Sequence, residues 1–130
     1  MSRLIVWDPE WSLGECIVDR QHRQLVEMVN RLGDVEYGRL DTERMLKLLY
    51  YIKVHGETED QYLRIGGYPG YEQHALTHDE FYHDMHRRIV GLSANRDEMR
   101  GEIARWLFQH IEAESRDAQF RNCVFVNRLA

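Results

Sequence analysis

His55-Gly-Glu-Thr-Glu59 and His74-Ala-Leu-Thr-His78, separated by the corner Gly66-Gly-Tyr-Pro69, form the stretch that determines the fold of this chain. In each of the two outer segments, the first and last residues are four positions apart. An α-helix turns by about 100° per residue, so side chains four positions apart lie on one face, one turn along. Imidazole nitrogens and carboxylate oxygens at that spacing can converge on a metal ion held between helices.

Four segments of the chain carry apolar residues at alternating three- and four-residue steps, which predicts four amphipathic helices. Capping residues and helix breakers predict the limits of these helices. The first three run from Asp19 to Gly38, from Asp41 or Thr42 to Gly66, and from Tyr71 to Ser93. The fourth begins at Asn95, with Glu98 as its capping-box partner. Residues 1–18 read as an extended arm, in which two tryptophans indicate packing along the domain. The tail beyond Ser115 keeps enough apolar residues to dock a short extra helix or arm: Phe120, Val124, Phe125 and Leu129.

No strand pattern or internal repeat interrupts this organisation. Four amphipathic helices joined by short loops predict an all-α protein, an up-down-up-down four-helix bundle with an N-terminal arm and a short C-terminal tail or helix. The length of 130 residues is that of a single domain, residues 1–130, with room for a substantial core.

The composition limits the classes of partner. A formal charge of −5 argues against nucleic acid, because binding to phosphates requires a basic face. No apolar run approaches the roughly 20 residues of a membrane span, and the apolar start of the chain is too short for a signal peptide. Cys16 and Cys123 lie far apart without a CxxC spacing, which favours buried or free thiols over a disulfide. We therefore expect a cytoplasmic protein with no membrane or nucleic-acid partner.

Each predicted helix places at least one histidine on its inward stripe. The set is His22, His55, His74, His78 and His110, with Glu59 on the same stripe as His55. A single inward histidine is more often a hydrogen-bonded core residue, but burying this many polar groups without partners would cost about 1–3 kcal/mol each. A shared metal centre would offset that cost. The remaining two histidines, His83 and His86, fall on other faces of the third helix, and we expect them to face solvent.

The donor set exceeds what one tetrahedral zinc ion takes. Nitrogen-rich ligation with a carboxylate able to bridge fits two iron ions, and fits manganese or zinc less well. At least one metal would then keep an open coordination position, where a small ligand such as dioxygen could bind.

The sequence resembles the hemerythrins, specifically the single-domain bacterial members, over nearly the whole chain. The residues that carry the resemblance are the tryptophan-containing arm, Asp19-Arg20-Gln21-His22, His55 with Glu59, Gly67-Tyr68-Pro69, His74 and His78 followed by Phe81, and Trp106-Leu107 before His110-Ile111. Their order, spacing and context all agree with the family pattern.

This resemblance implies a cofactor of two iron ions with an oxo or hydroxo bridge, and O2 as the ligand. It implies that His74, His78 and His110 hold one iron, that His22 and His55 hold the other, which takes O2, and that Glu59 bridges the two. Apolar side chains would keep water and protons away from the bound O2, and the candidates by position are Leu25, Ile52, Phe81 and Trp106.

One position departs from the family pattern. The family has an aspartate five residues after the fourth-helix histidine as a second bridging carboxylate, and this chain has Ser115 there. Glu114, four residues after His110, could substitute through its longer side chain. Water or an external anion could fill the gap, or the second iron could bind weakly.

The leading hypothesis is a non-enzymatic O2 carrier, store or sensor, with an unidentified reductase or signalling partner. The alternative is a di-iron enzyme that acts on peroxide or nitric oxide, because a missing bridge at Ser115 would add open coordination positions. A third hypothesis is a structural or iron-storage bundle.

Overall fold

The computed structural model describes residues 4–14, 16–32, 39–91 and 96–128, and within these ranges the chain is helical with no strand. After a short 3₁₀ turn at Pro9–Trp11 come five helices: α1 (Ile17–Arg31), α2 (Arg39–Ile65), α3 (Tyr71–Val90), α4 (Arg96–Ser115) and α5 (Ala118–Arg128). The predicted all-α, up-down-up-down bundle is confirmed, and the predicted tail is a fifth helix. No helix among these residues is long and apolar enough to cross a membrane.

The main core lies between α1, α2, α3 and α4, where the predicted apolar stripes meet. Its buried members from the four helices include Leu25, Val29, Leu48, Ile52, Met85, Ile89, Ile103 and Leu107. A second buried cluster closes one end of the bundle, and α5 contributes Phe120, Cys123 and Val124 to it. Phe120 and Val124 therefore dock as predicted, whereas Phe125 is 44% exposed and Leu129 lies outside the described residues.

The corner after α2 ends that helix as predicted. Gly67 has φ +70°, a left-handed conformation that favours glycine. The backbone N–H of Gly67 donates to the carbonyl of Arg64 at 3.2 Å, and that of Tyr68 donates to the carbonyl of Leu63 at 2.9 Å. These two bonds form a Schellman motif, which satisfies the last helix carbonyls and directs the chain into α3.

Several predicted helix limits are wrong or lie outside the described residues. Asp19 is not the N-cap of α1, because the helix begins at Ile17. Asp41 and Thr42 do not cap α2, because that helix begins at Arg39. Limits at Gly38, Ser93 and Asn95 fall outside the described residues, although α1 ends at Arg31 and α3 at Val90.

The N-terminal arm packs along the bundle, as the two tryptophans predicted. Trp11 is 3% exposed, its Nε1 donates to Glu112 Oε2 at 2.6 Å, and its ring meets that of Trp7 edge-on at 5.4 Å. The carboxylate of Asp19 accepts the backbone N–H of Leu13 at 2.9 Å, so it anchors the arm to α1. The expectation of an extended arm over residues 1–18 is wrong at the 3₁₀ turn and at Ile17, where α1 begins.

Candidate metal centre

The four long helices bring all six predicted site residues together inside the bundle. One group of potential ligands consists of His22, His55, Glu59, His110 and Glu114, and an overlapping group consists of Glu59, His74, His78, His110 and Glu114. Within each group, one donor atom from each residue lies within 4.8 Å of all the others. The cluster therefore unites five imidazoles with two carboxylates, and Glu114 belongs to it.

The helical spacing accounts for this convergence. His55 and Glu59 stand one turn apart on α2, His74 and His78 one turn apart on α3, and His110 and Glu114 one turn apart on α4. His22 completes the set from α1 and is fully buried. By contrast, His83 and His86 are exposed on α3, as predicted.

The two carboxylate oxygens of Glu59 face different sets of histidines. Its Oε2 lies 3.1 Å from Nε2 of His22 and 2.7 Å from Nε2 of His55. Its Oε1 lies 3.3 Å, 3.5 Å and 3.3 Å from the Nε2 atoms of His74, His78 and His110. Glu59 thus divides the five histidines into a pair and a triplet.

Glu114 occupies a similar position from α4. Its Oε1 lies 3.1 Å from Nε2 of both His22 and His110, and its Oε2 lies 2.7 Å from Nε2 of His74. Ser115 instead turns back on its own helix, where its Oγ donates to the carbonyl of Glu112 at 2.9 Å. Of the three outcomes considered for Ser115, the placement of Glu114 favours substitution by this carboxylate.

Burial perturbs the protonation of the histidines. Burial and the neighbouring His55 lower the pKa of His22 to about 3. Burial and His110 lower the pKa of His78 to about 2. Burial also acts against protonation of His74, but the nearby carboxylates of Asp60, Glu114 and Glu59 outweigh this and raise the pKa of His74 to about 11.

The two buried carboxyls are perturbed in opposite directions. Burial acts against ionisation of Glu59, but His55 and His110 outweigh it and hold the pKa of Glu59 well below its usual range. Burial and the charge of Glu59 raise the pKa of Glu114 well above its usual range. Two carboxylates this close cannot both ionise easily unless a cation lies between them.

The cluster also contains buried polar atoms without hydrogen-bond partners, which tests whether metal ions fit it. Among the described residues, the atoms of this kind that face the histidine Nε2 atoms are Oε1 of Glu59 and Oε1 of Glu114. The two oxygens face imidazole nitrogens, yet no hydrogen bond satisfies them. Carboxylate oxygens and neutral imidazole nitrogens are ligands of iron, manganese and zinc, so the residues present fit bound metal ions.

Aromatic rings cover the triplet side of the cluster. Trp106 stacks on His110 at 4.9 Å with an interplanar angle of 10°, and Phe81 stacks on Trp106 at 4.2 Å and 9°. On the pair side, Leu25 and Ile52 lie one turn from His22 and His55 and are 2% and 1% exposed. Of the four predicted apolar neighbours, Leu25 and Ile52 therefore lie in the buried core, whereas Phe81 and Trp106 are half-buried and pack against it.

An open cavity of about 560 Å³ reaches the triplet side and Glu114. The α3 and α4 residues that line it include Gln73, His74, Thr77, His78, Trp106, Gln109 and His110. The His74 side chain is 16% exposed, whereas those of His22 and His55 are 1% exposed. Solvent therefore reaches one side of the cluster and is excluded from the other.

The sequence pattern did not assign a role at the cluster to three residues that lie around it: Gly56, Gln21 and Thr58. Gly56 lies against His78, and a Cβ placed on Gly56 would come within 2.7 Å of His78 Nδ1. A glycine inside a helical pattern indicates a close approach of another group to the backbone, so this contact could have been predicted. Gln21 on α1 contacts both His55 and Thr58 on α2. The spacing of residues along one helix does not reveal such contacts between helices.

Comparison with known proteins adds independent findings. A family model, the hemerythrin HHE cation binding domain, matches residues 16–118. The chain is 30% identical over 113 residues to bacteriohemerythrin of Pseudomonas aeruginosa (strain LESB58), which covers 82% of this chain and 74% of that protein. It is 27% identical over 117 residues to bacteriohemerythrin of Stenotrophomonas maltophilia, covering 85% and 76%, and 25% identical over 126 residues to that of Clostridium acetobutylicum, covering 88% and 98%. No solved structure is significantly similar to the chain.

Proposed function

The chain belongs to the hemerythrin family, and on that basis we propose that it is a non-haem di-iron protein that binds O2 as a carrier, store or sensor. The observation that carries the proposal is the orientation of Glu59. One oxygen of this carboxylate faces the pair His22 and His55, and the other faces the triplet His74, His78 and His110. A carboxylate placed in this way can bridge two metal ions, each held by its own histidines.

In this proposal, His74, His78 and His110 would hold one iron, His22 and His55 would hold the other, and the two ions would share Glu59. Glu114 would be the second shared carboxylate, because its Oε1 faces His22 and its Oε2 faces His74. Two bound iron ions would supply the two electrons on which reversible O2 binding draws. The cation charge would allow both carboxylates to remain ionised, which the buried cluster alone opposes.

The chain's own residues exclude water from the pair side. His22 and His55 are 0% and 1% exposed, and the buried side chains of Leu25 and Ile52 lie one turn away. This surrounding would keep protons away from a bound ligand, which favours reversible binding over turnover.

The enzyme alternative depended on a missing second carboxylate at Ser115. Since Glu114 supplies a carboxylate within the cluster, that argument no longer applies, and no other observation favours peroxide or nitric oxide turnover.

We further propose a single domain spanning residues 1–130 and a cytoplasmic location. The buried thiols of Cys16 and Cys123 agree with a reducing compartment.

The test of O2 binding is spectroscopic. Protein loaded anaerobically with ferrous iron, at a measured stoichiometry of two per chain, should develop a visible absorption band on exposure to O2. The band should disappear when O2 is removed and return when it is readmitted. Iron-loaded protein that shows no band, or that oxidises irreversibly at once, would contradict the carrier proposal.

Glu114 is tested with its neighbour as the matched control. Glu114→Gln should lower the affinity for one of the two ions by about 10- to 100-fold, because the neutral amide is a poor bridge. Ser115→Ala should leave both affinities unchanged, because Ser115 Oγ bonds to its own helix. The reverse pattern would show that position 115 contributes to the centre and that Glu114 does not.

A further inference from the structure

A chain of three hydrogen bonds links the outer nitrogen of His55 to the backbone of its own helix. Nδ1 of His55 lies 2.8 Å from Gln21 Oε1, and Gln21 Nε2 donates to Thr58 Oγ1 at 3.2 Å. The Thr58 hydroxyl in turn donates to the carbonyl of Val54 at 3.0 Å. Gln21 belongs to α1, so the chain crosses from one helix to its neighbour.

The direction of each bond follows from the last one. A backbone carbonyl only accepts, so the single hydroxyl proton of Thr58 is directed to Val54. Thr58 Oγ1 must then accept from Gln21, which requires the amide nitrogen of Gln21 to face Thr58. Its amide oxygen consequently faces His55, and only a protonated Nδ1 can donate to it.

The arrangement leaves Nε2 of His55 unprotonated, with its lone pair 3.2 Å from Nε2 of His110. That lone pair points into the cluster, where Glu59 Oε2 lies 2.7 Å away. In the metal-free protein this carboxylate competes with Gln21 for the proton of His55, whereas a bound cation would lie between the two acceptors and remove that competition. Placing a proton on Nε2 instead would require the Gln21 amide to rotate, and the chain would lose one of its three hydrogen bonds.

His55 differs in this respect from two of the other histidines. Nδ1 of His22 and of His78 has no hydrogen-bond partner within the part of the chain that the structure describes, and Nδ1 of His74 faces the carboxylate of Asp60 at 3.5 Å. The hydrogen bond to an amide oxygen therefore acts on His55, on the pair side of the cluster.

We infer that Gln21 and Thr58 are positioning residues that hold His55 in the Nδ1–H tautomer, so that Nε2 is reserved for a metal ion on the pair side. Outer partners of this kind orient an imidazole and make it a better donor, and their loss weakens metal affinity by about 10- to 100-fold. The inference rests on the proposed metal centre, although the tautomer itself is a property of the metal-free protein.

The test uses the full chain with ¹⁵N-labelled histidine, in wild type and in three variants. Imidazole NMR of the metal-free protein at neutral pH should show a larger Nδ1–H population of His55 in wild type and in Thr58→Ser, which keeps the hydroxyl, than in the other two variants. Gln21→Leu and Thr58→Val should raise the Nε2–H population. Equal tautomer populations in all four proteins, or a larger Nδ1–H population in Gln21→Leu or Thr58→Val than in wild type, would overturn the inference.

Titration with Co²⁺ supplies the second measurement, since its visible bands report the ligand set. Gln21→Leu and Thr58→Val should each weaken one of two binding steps by about tenfold or more, and Thr58→Ser should restore it. Weakening of both steps equally, or no restoration by Thr58→Ser, would indicate general loss of packing and count against the inference. Because NMR detects the tautomer without metal, a failure of O2 binding alone would leave this inference standing.

Discussion

Gly56→Ala is the substitution for which the structure gives the sharpest expectation. The added methyl group would lie 2.7 Å from Nδ1, 3.1 Å from Cγ and 3.3 Å from Cβ of His78. To restore an ordinary contact of 3.4 Å, the imidazole has to move by about 0.7 Å, or the two helices have to separate by a similar amount.

That displacement is large compared with what a metal centre tolerates. Ligand distances in metal sites vary by about 0.2 Å, so a shift of about 0.7 Å takes His78 out of range of an ion held by the remaining ligands. We expect the affinity for the ion on the triplet side to fall by about 10- to 100-fold. This corresponds to about 1.4–2.8 kcal/mol of binding free energy.

The metal-free protein should remain folded. Alanine in a helix interior is favoured over glycine by about 0.5–1 kcal/mol, and forcing a methyl group into a packed site costs about 1–3 kcal/mol. The free energy of unfolding should therefore fall by about 0–2.5 kcal/mol, which leaves a folded protein in which metal binding is selectively impaired.

The assay compares Co²⁺ titration with urea denaturation of the metal-free protein. Gly101→Ala is the matched control, because nothing lies within 4 Å of the added Cβ on α4. It should raise the free energy of unfolding by about 0.5–1 kcal/mol and leave both binding steps unchanged. Equal metal affinity in Gly56→Ala and wild type would refute the argument that this glycine is needed for the position of His78.

Three further predictions concern stability. Leu63→Ala should lower the free energy of unfolding by about 2–5 kcal/mol in urea denaturation, because Leu63 is fully buried in the end cluster. The hydrogen bond to Asp117 and burial raise the pKa of Tyr68 to about 12, so stability should fall as pH rises from about 10 to about 12. In the same pH series, the free energy of unfolding of Tyr68→Phe should fall less over this pH range, because phenylalanine has no hydroxyl to ionise. Removing metal with a chelator should lower the Tm, since free metal at 100 times its Kd adds about 2.7 kcal/mol to the folded state.

Much of the candidate centre could be predicted from sequence because its ligands follow the helical period. The four-residue spacing was sufficient to pair His55 with Glu59 and His74 with His78. The corner at Gly67 correctly predicted where the second helix ends and the third follows. His22 and His110 followed from their places on apolar stripes. These features depend on one helix at a time, which is the information that a linear pattern contains.

The features that the sequence did not predict depend on contacts between segments of the chain. Asp19 has the residue type of an N-cap, but its carboxylate accepts the backbone N–H of Leu13 in the arm, and α1 begins two residues earlier. The role of Glu114 could be proposed but not decided, because its reach depends on the distance between α4 and the other helices. The bonds among Gln21, Thr58 and His55 join α1 to α2, so no periodicity predicts them.

The two sides of the cluster differ in a way that bears on the proposed ligand. The triplet side opens to the cavity beside His74, but it would be filled by three histidines and two carboxylates. The pair side has only His22 and His55 with the shared carboxylates, so its coordination would be incomplete, and its histidines are buried. A charged or strongly hydrated ligand would lose its hydration on moving there, at a cost of several kcal/mol, whereas a neutral diatomic molecule would lose little. In the proposed centre, the side that solvent reaches would thus be the filled one, and the side with an open position would be sealed from water. This separation supports binding of a gas over turnover of a polar substrate.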